Sequence, residues 1–157
     1  MGHTHTSVQV HVIFATKNRR PTIAESFRPR LWEYMQGVAR KEFGQALCIG
    51  GTENHVHSLI ELRADVSLAD AMRKWKTLSS RWVHGTFPES ANFAWQRGYG
   101  AFSVSGPRKA AVIRYIEAQA EHHKQTPFED EFVAFLQKYG VAYDPAYLWA
   151  DAGKGGA

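Results

Sequence analysis

The 157-residue chain contains one cysteine, Cys48. A lone cysteine excludes an intramolecular disulfide, suits a reducing compartment and reads as a small buried residue. No apolar run approaches the roughly 18–20 residues that cross a bilayer. The opening Met1-Gly2-His3-Thr4-His5 lacks the basic-then-apolar layout of a secretory leader. These absences lead to the expectation of a cytoplasmic protein with no membrane partner. A strong excess of one charge is also missing. Lys and Arg number 19 against 15 Asp and Glu, for a net charge of +4. That balance permits nucleic acid as a partner without demanding it.

What is present is an ordinary globular composition, 44% hydrophobic, at a length that suits one domain. We expect a single domain over residues 1–150 and a frayed, glycine-rich tail over 151–157. Basic side chains cluster at Lys17, Arg19 and Arg20, again at Arg73, Lys74, Lys76 and Arg81, and again at Arg97, Arg108, Lys109 and Arg114. Acid concentrates later, at Glu129, Asp130 and Glu131. Taken singly, each cluster reads as a solvated face.

Hydrophobic periodicity predicts a strand over Val8 to Ala15, where Val8, Val10, Val12 and Phe14 alternate with Gln9, His11 and Ile13. Pro29 suits a first helical turn, and Leu31, Tyr34, Met35 and Val38 follow at helical spacing up to Gly44. Strands are expected over Ala46 to Gly51 and His55 to Leu62. Ser67 and Asp70 resemble a capping box. The apolar stripe from Leu68 through Trp75 to Trp82 follows it and is closed by Gly85, with Trp75 and Trp82 read as core. A fourth strand is expected over Tyr99 to Ser105. Ser105-Gly106-Pro107 then starts a helix running to about Lys124, and a last helix covers Glu129 to Tyr139. The order β-α-β-β-α-β plus two helices is the α+β, ferredoxin-like split βαβ pattern, with an antiparallel sheet and both crossover helices on one face. That fold hosts many functions and names none.

Chemistry enters at His55-Val56-His57. In a strand, alternate residues share a face, so both imidazoles aim one way while Val56 points into a core. Two convergent histidines make a workable metal edge, or equally two polar residues on a wet sheet face. On the helix from Pro107, Tyr115, Gln119 and His122 fall within an arc of about 60°. Val112, Ile113, Ile116 and Ala120 fall beside them and should pack on the domain. Gln119 can present an amide oxygen to a cation, and Tyr115 can present a phenol. His11 faces the opposite side of its strand from Val10 and Val12, where a place near the site is the lesser of its two readings beside that of an ordinary strand residue.

Read together, these residues resemble the single-tyrosine HUH transposases of small insertion sequences, and especially their REP-associated relatives. Asn54-His55-Val56-His57 matches the HUH motif, in which U is a bulky hydrophobic residue. Ser79-Ser80-Arg81-Trp82 resembles the family's second-helix motif. The segment Trp95-Gln96-Arg97-Gly98-Tyr99-Gly100-Ala101-Phe102-Ser103-Val104-Ser105 is highly specific to it. Tyr115 to His123 looks like the catalytic helix, and Tyr143 to Trp149 looks like the closing segment. Thr52-Glu53, Ser58 and Ala118 depart from common family residues without removing a group the chemistry needs.

The resemblance implies that Tyr115 attacks single-stranded DNA near a hairpin, forming a 5′-phosphotyrosine and freeing a 3′-hydroxyl. It implies a divalent metal, Mg²⁺ or Mn²⁺, on His55, His57 and Gln119, with His122 a possible accessory. Two imidazoles and one amide by themselves suit Mn²⁺ or softer ions better than Mg²⁺. Phosphate contacts are expected from Lys17, Arg19, Arg20, Arg73, Lys74, Lys76 and Arg81. A homodimer is implied, in which Tyr115 serves its own histidines or those of a partner. The competing readings are a domesticated hairpin-DNA-binding protein with little cleavage, and a metal-binding or oligomerising domain with no nucleic-acid role.

Overall fold

The computed structural model describes residues 2–149. The tail expected over 151–157 lies outside the described residues. Among the described residues, four strands form one antiparallel sheet: β1 (Gln9–Ala15), β2 (Gly44–Gly51), β3 (His55–Leu62) and β4 (Gly100–Ser103), in the order β2-β3-β1-β4. The helices are α1 (Arg28–Glu42), α2 (Leu68–Thr86), α3 (Lys109–Glu117), α4 (Gln119–His122) and α5 (Phe128–Lys138). The expected split βαβ order is therefore present.

Strand alternation divides the core in two. Val12 and Phe14 of β1, with Val56, Ile60 and Leu62 of β3, face α1 and α2 and pack on Leu31, Met35, Met72 and Trp75. Trp75 is fully buried and donates its indole N–H to the Met35 carbonyl at 2.8 Å. Ser67 caps α2 by accepting from the Asp70 N–H at 3.1 Å, as the capping box predicts. Trp82 is only half-buried and stacks on Tyr34 with ring centroids 4.8 Å apart.

The other sheet face carries His11, Ile13 and Ala15 of β1, Phe102 of β4 and His55, His57 and Leu59 of β3. Ile116 of α3 packs on Cys48 and Leu59 at one side. Phe128, Phe132 and Leu136 of α5 pack on Ile13, Ala15 and Phe102 at the other. The three histidines lie between these two covers. Two glycines make the close packing possible. A Cβ on Gly50 would meet the Ile116 carbonyl oxygen at 2.1 Å, and one on Gly100 would meet the Phe132 ring at 2.7 Å.

The helix expected from Pro107 to Lys124 is not continuous. It opens with a 3₁₀ turn, Gly106–Arg108, and breaks at Ala118, which leaves helical geometry at φ −93°, ψ 12° and separates α3 from α4. Because of the break, Ala120 is exposed instead of packed on the domain, a correction to the uniform helical phase assumed from the sequence. The last helix begins at Phe128, and Gly140 follows it with φ +65°, a left-handed conformation that glycine adopts at little cost.

Candidate active site

His55 and His57 are both fully buried, with ring centroids 5.3 Å apart. Each ring turns its Nε2 inward and has its Nδ1 held from behind. His55 Nδ1 lies 2.8 Å from Asn54 Oδ1 and 2.9 Å from Thr52 Oγ1. His57 Nδ1 lies 2.8 Å from His11 Nε2. Fixing the outer nitrogen sets the direction of the inner one, which is how ligating histidines are usually oriented. Thr52, a departure from the family's common residue, thus takes part in holding His55.

The α3–α4 segment brings Gln119 over this pair, 1% exposed, with Oε1 3.1 Å from His55 Nε2. Asn54 Oδ1 can only accept, so the His55 proton is on Nδ1 and Nε2 is a bare acceptor while the ring is neutral. Burial, then the neighbouring His57 and His123, lower the His55 pKa from 6.5 to about 3, so it is neutral. Turning the Gln119 amide over would place its oxygen against the Glu131 carboxylate, to which Gln119 Nε2 now donates at 3.3 Å. Two lone pairs therefore face each other across 3.1 Å, an arrangement suited to a cation.

Tyr115 is half-buried, its ring 5.8 Å from that of His57 and 6.2 Å from that of His11. Nucleophile candidate and histidines thus meet within a single chain. The phenol O–H donates to Glu131 Oε2. Burial first, then the bond and charge of Glu131, raise the Tyr115 pKa above its ordinary value. His11 is held neutral, its pKa lowered to about 3 by burial and by His57. His57 is likewise lowered by burial, against the opposing pull of Glu131.

Glu131, which sequence reasoning left in a solvated acidic cluster, is the centre of this network. It is 4% exposed. Its Oε1 lies 2.8 Å from His57 Nε2 and 3.1 Å from His123 Nε2. Burial disfavours its charge, but the bonds from His123, His57 and Tyr115 outweigh that and hold its pKa far below the usual carboxylate range. His123 donates Nδ1–H to the Thr126 carbonyl at 2.6 Å. Burial works against its charge, and Glu131 more than compensates, raising its pKa. The helical phase of α5 carries a signal for this burial: Phe128, Glu131, Phe132 and Leu136 form its buried face. His122 is more peripheral. Its Nε2 lies 3.2 Å from Glu131 Oε2 without making a hydrogen bond, and its ring is 5.4 Å from that of Tyr115.

The donors fit a divalent cation. His55, His57, His123 and Glu131 offer ligand atoms that all lie within 4.8 Å of one another, and Gln119 adds an amide oxygen at their edge.

The basic residues singled out in the sequence divide. Lys76 donates to the carbonyls of Gln96, Arg97 and Gly98 at 3.0, 3.0 and 2.5 Å, so it anchors the loop before β4. Arg19 pairs with Glu129 at 2.8 Å and lies over the Trp149 ring. Lys74 lies 3.7 Å from Glu42, and Arg73 lies 3.7 Å from Asp70. Arg20 and Arg81 are exposed and Lys17 is half-buried. The α2 cluster belongs to the helical layer on the sheet face opposite the histidines.

A ferredoxin-like sheet with a His-x-His strand under a tyrosine-bearing helix is the arrangement that the resemblance implied. The chain belongs to the family described as "Transposase IS200 like", whose profile matches residues 4–119. No curated protein matches it. Among solved structures it is similar to a candidate transposase from Deinococcus radiodurans R1, at 22% identity and a TM-score of 0.60, covering 76% of this chain and 96% of that one. It is also similar to a REP-associated tyrosine transposase bound to a REP hairpin, at 14% identity and a TM-score of 0.58, covering 80% of this chain and 76% of that one. At these identities the two structures speak for the fold. Among the described residues no helix is long and apolar enough to cross a membrane.

Proposed function

We propose that this transposase cleaves and rejoins single-stranded DNA beside a hairpin, with Tyr115 as the nucleophile. The observation that carries the reading is the convergence of the Tyr115 phenol with the inward Nε2 edges of His55 and His57 on one buried face of one chain. The phenolic oxygen bonds to phosphorus and the bond to the 3′-oxygen breaks. The products are a 5′-phosphotyrosine and a 3′-hydroxyl, and the retained bond allows rejoining without ATP. The phenol proton has an acceptor at hand in Glu131.

His55, His57 and Gln119 would hold a divalent metal, Mg²⁺ or Mn²⁺, which when bound supplies Lewis-acid stabilisation to charge on the phosphate oxygens. Thr52, Asn54 and His11 orient the two imidazoles. A cavity of about 510 Å³ opens beside Tyr115 and His11, with Ser105, Arg108 and Lys138 on its wall, a basic place for the scissile strand. The loop of Lys17, Arg19 and Arg20 follows β1 at the end where Ala15 pairs with His55, and supports phosphate contact near the site. The similar hairpin-bound transposase supports a hairpin substrate. Arg73, Lys74 and Arg81 would touch DNA only if it passed round to the α1–α2 layer. A homodimer would bring two tyrosines for strand exchange, and the meeting of Tyr115 with His57 within one chain supports service by its own histidines, at work on the nucleoid in the cytoplasm.

A second reading, a domesticated hairpin-binding protein that seldom cuts, is favoured by the engagement of the Tyr115 hydroxyl with the Glu131 carboxylate. One assay separates them. Hairpin-flanked single strands are incubated with the protein and Mg²⁺ or Mn²⁺, and covalent adduct is read on a denaturing gel. A metal-dependent adduct that disappears with Tyr115→Phe is expected. No wild-type adduct, or one undiminished by Tyr115→Phe, would overturn cleavage by this residue, and salt-sensitive hairpin binding alone would support the second reading.

A further inference from the structure

We infer that Glu131 of α5 is itself a ligand of the metal, and that its two oxygens join the metal to the nucleophile. The inference rests on the reading of His55, His57 and Gln119 as a metal site. Glu131 lies beyond residue 119, where the family match ends, on a helix the sequence pattern did not connect with the histidines.

Three observations converge on it. The first is placement. Glu131 Oε1 stands 2.8 Å from His57 Nε2 and 3.1 Å from His123 Nε2, while Gln119 Oε1 stands 3.1 Å from His55 Nε2. An octahedral site with metal–ligand bonds of about 2.1 Å has ligand-to-ligand edges of about 3.0 Å. The hydrogen-bonding separations already present are close to that edge length, and the four ligand atoms of His55, His57, His123 and Glu131 all lie within 4.8 Å of one another, so little rearrangement is needed to make these donors neighbouring ligands.

The second is donor chemistry. Two imidazoles and an amide form a neutral, mostly nitrogen set, which Mg²⁺ accepts poorly. A buried carboxylate adds the hard anionic oxygen that set lacks. His123 Nδ1 donates to the Thr126 carbonyl, and its Nε2 is aimed at the same carboxylate. That backbone bond turns Nε2 toward Glu131 and the other donors, so His123 stands where a neighbouring ligand would.

The third is the division of labour within one side chain. Oε1 faces the histidines, and Oε2 receives the Tyr115 hydroxyl. Through Glu131 the phenol is held one carboxylate away from the metal donors, although Tyr115 and the histidines lie on different elements.

The test measures Mn²⁺ binding directly, on the full chain after chelator treatment, by the loss of the free-ion electron paramagnetic resonance signal. Glu131→Gln is expected to weaken Mn²⁺ at least about 10-fold and to weaken Ni²⁺, which favours imidazole, much less. His57→Ala should abolish binding. A purely structural carboxylate would leave Mn²⁺ affinity within twofold of wild type and the Mn²⁺-to-Ni²⁺ ratio unchanged, and that result overturns the inference. A measurement without any variant covers the case in which Glu131→Gln fails to fold. Wild-type protein carrying ¹³C-carboxyl glutamate, loaded with Mn²⁺, should show strong hyperfine coupling to a carboxylate carbon in pulsed resonance, and no coupling again overturns the inference. Failure here is distinct from failure of the cleavage reading. A Tyr115-dependent adduct with unchanged Mn²⁺ affinity in Glu131→Gln would remove Glu131 from the metal and leave the transposase chemistry standing.

Discussion

His11 Nε2 and His57 Nδ1 lie 2.8 Å apart on neighbouring antiparallel strands, β1 and β3. A ring nitrogen on one strand thereby fixes the direction of the ring on the next, while the neutral His57 donates its Nε2–H to Glu131. If His57 Nε2 is to ligate, its proton must be on Nδ1, where His11 Nε2 can accept it. His11 is then a positioning residue, with no contact to metal or substrate required.

His11→Ala should therefore reduce Mn²⁺ affinity by about 10- to 100-fold. His11→Gln, which can still offer an amide oxygen to His57, should recover part of it. Titration of the two variants beside wild type checks this. Equal affinity in all three would confine His11 to packing.

Gly50 lies where β2 meets α3. The added Cβ of Gly50→Ala would stand 2.1 Å from the Ile116 carbonyl, and backbone cannot swing aside as a side-chain tip can. The helix must lift. We expect a stability loss of about 1–3 kcal/mol in urea melts. Adduct formation should fall further than stability explains, because Tyr115 precedes Ile116 on the same turn.

Acid should destabilise the fold before carboxylates protonate in bulk. His11 and His55 have folded pKa values of about 3 against 6.5 unfolded. Between those values the unfolded chain binds more protons, so each pH unit lowered costs up to about 1.4 kcal/mol per histidine. His57 adds in the same direction. Glu131, whose folded pKa is depressed, contributes stability that is lost as pH falls below the unfolded carboxylate range. His123, whose folded pKa is raised, contributes stability that is fully present below 6.5 and lost as pH rises through its folded value. Urea midpoints measured in chelator should peak near neutrality and fall steeply toward pH 4. A flat profile from pH 7 to 4 would contradict the buried neutral histidines.

Lys76 and Arg81, grouped in sequence as one basic cluster, should separate in experiment. Lys76→Met removes the donor from three main-chain carbonyls and should cost about 1–3 kcal/mol of stability. Arg81→Ala, on an exposed side chain, should leave the melt unchanged. If hairpin DNA passes over α2, Arg81→Ala should also lower the salt slope of binding by about 0.7–0.9. An unchanged slope would remove this helix from the DNA surface.

Local rules made much of the molecule legible. Period-two alternation identified β1 and β3, and placed His55 and His57 on one face opposite Val56. The Ser67 cap and the Leu68–Trp82 stripe identified α2. The helix after Pro107 was harder, because the break at Ala118 depends on how α3 and α4 fit against β2 and β3. Uniform helical phase kept Gln119 near Tyr115 but wrongly buried Ala120.

By itself, then, the sequence determined the strand and helix order and the shared direction of the histidine pair, since each is written in spacing over a few residues, while the family rests on a resemblance that runs through most of the chain. The tertiary structure decided that His11 buttresses His57, that Lys76 serves the fold, and that Glu131 leaves its acidic surface cluster for the centre of the site. Those facts depend on contacts between residues 46 apart for His11 and His57, and 74 apart for His57 and Glu131. No local periodicity encodes such pairings. They arise only when α5 packs its apolar face on Ile13, Ala15 and Phe102 and brings one carboxylate down with it.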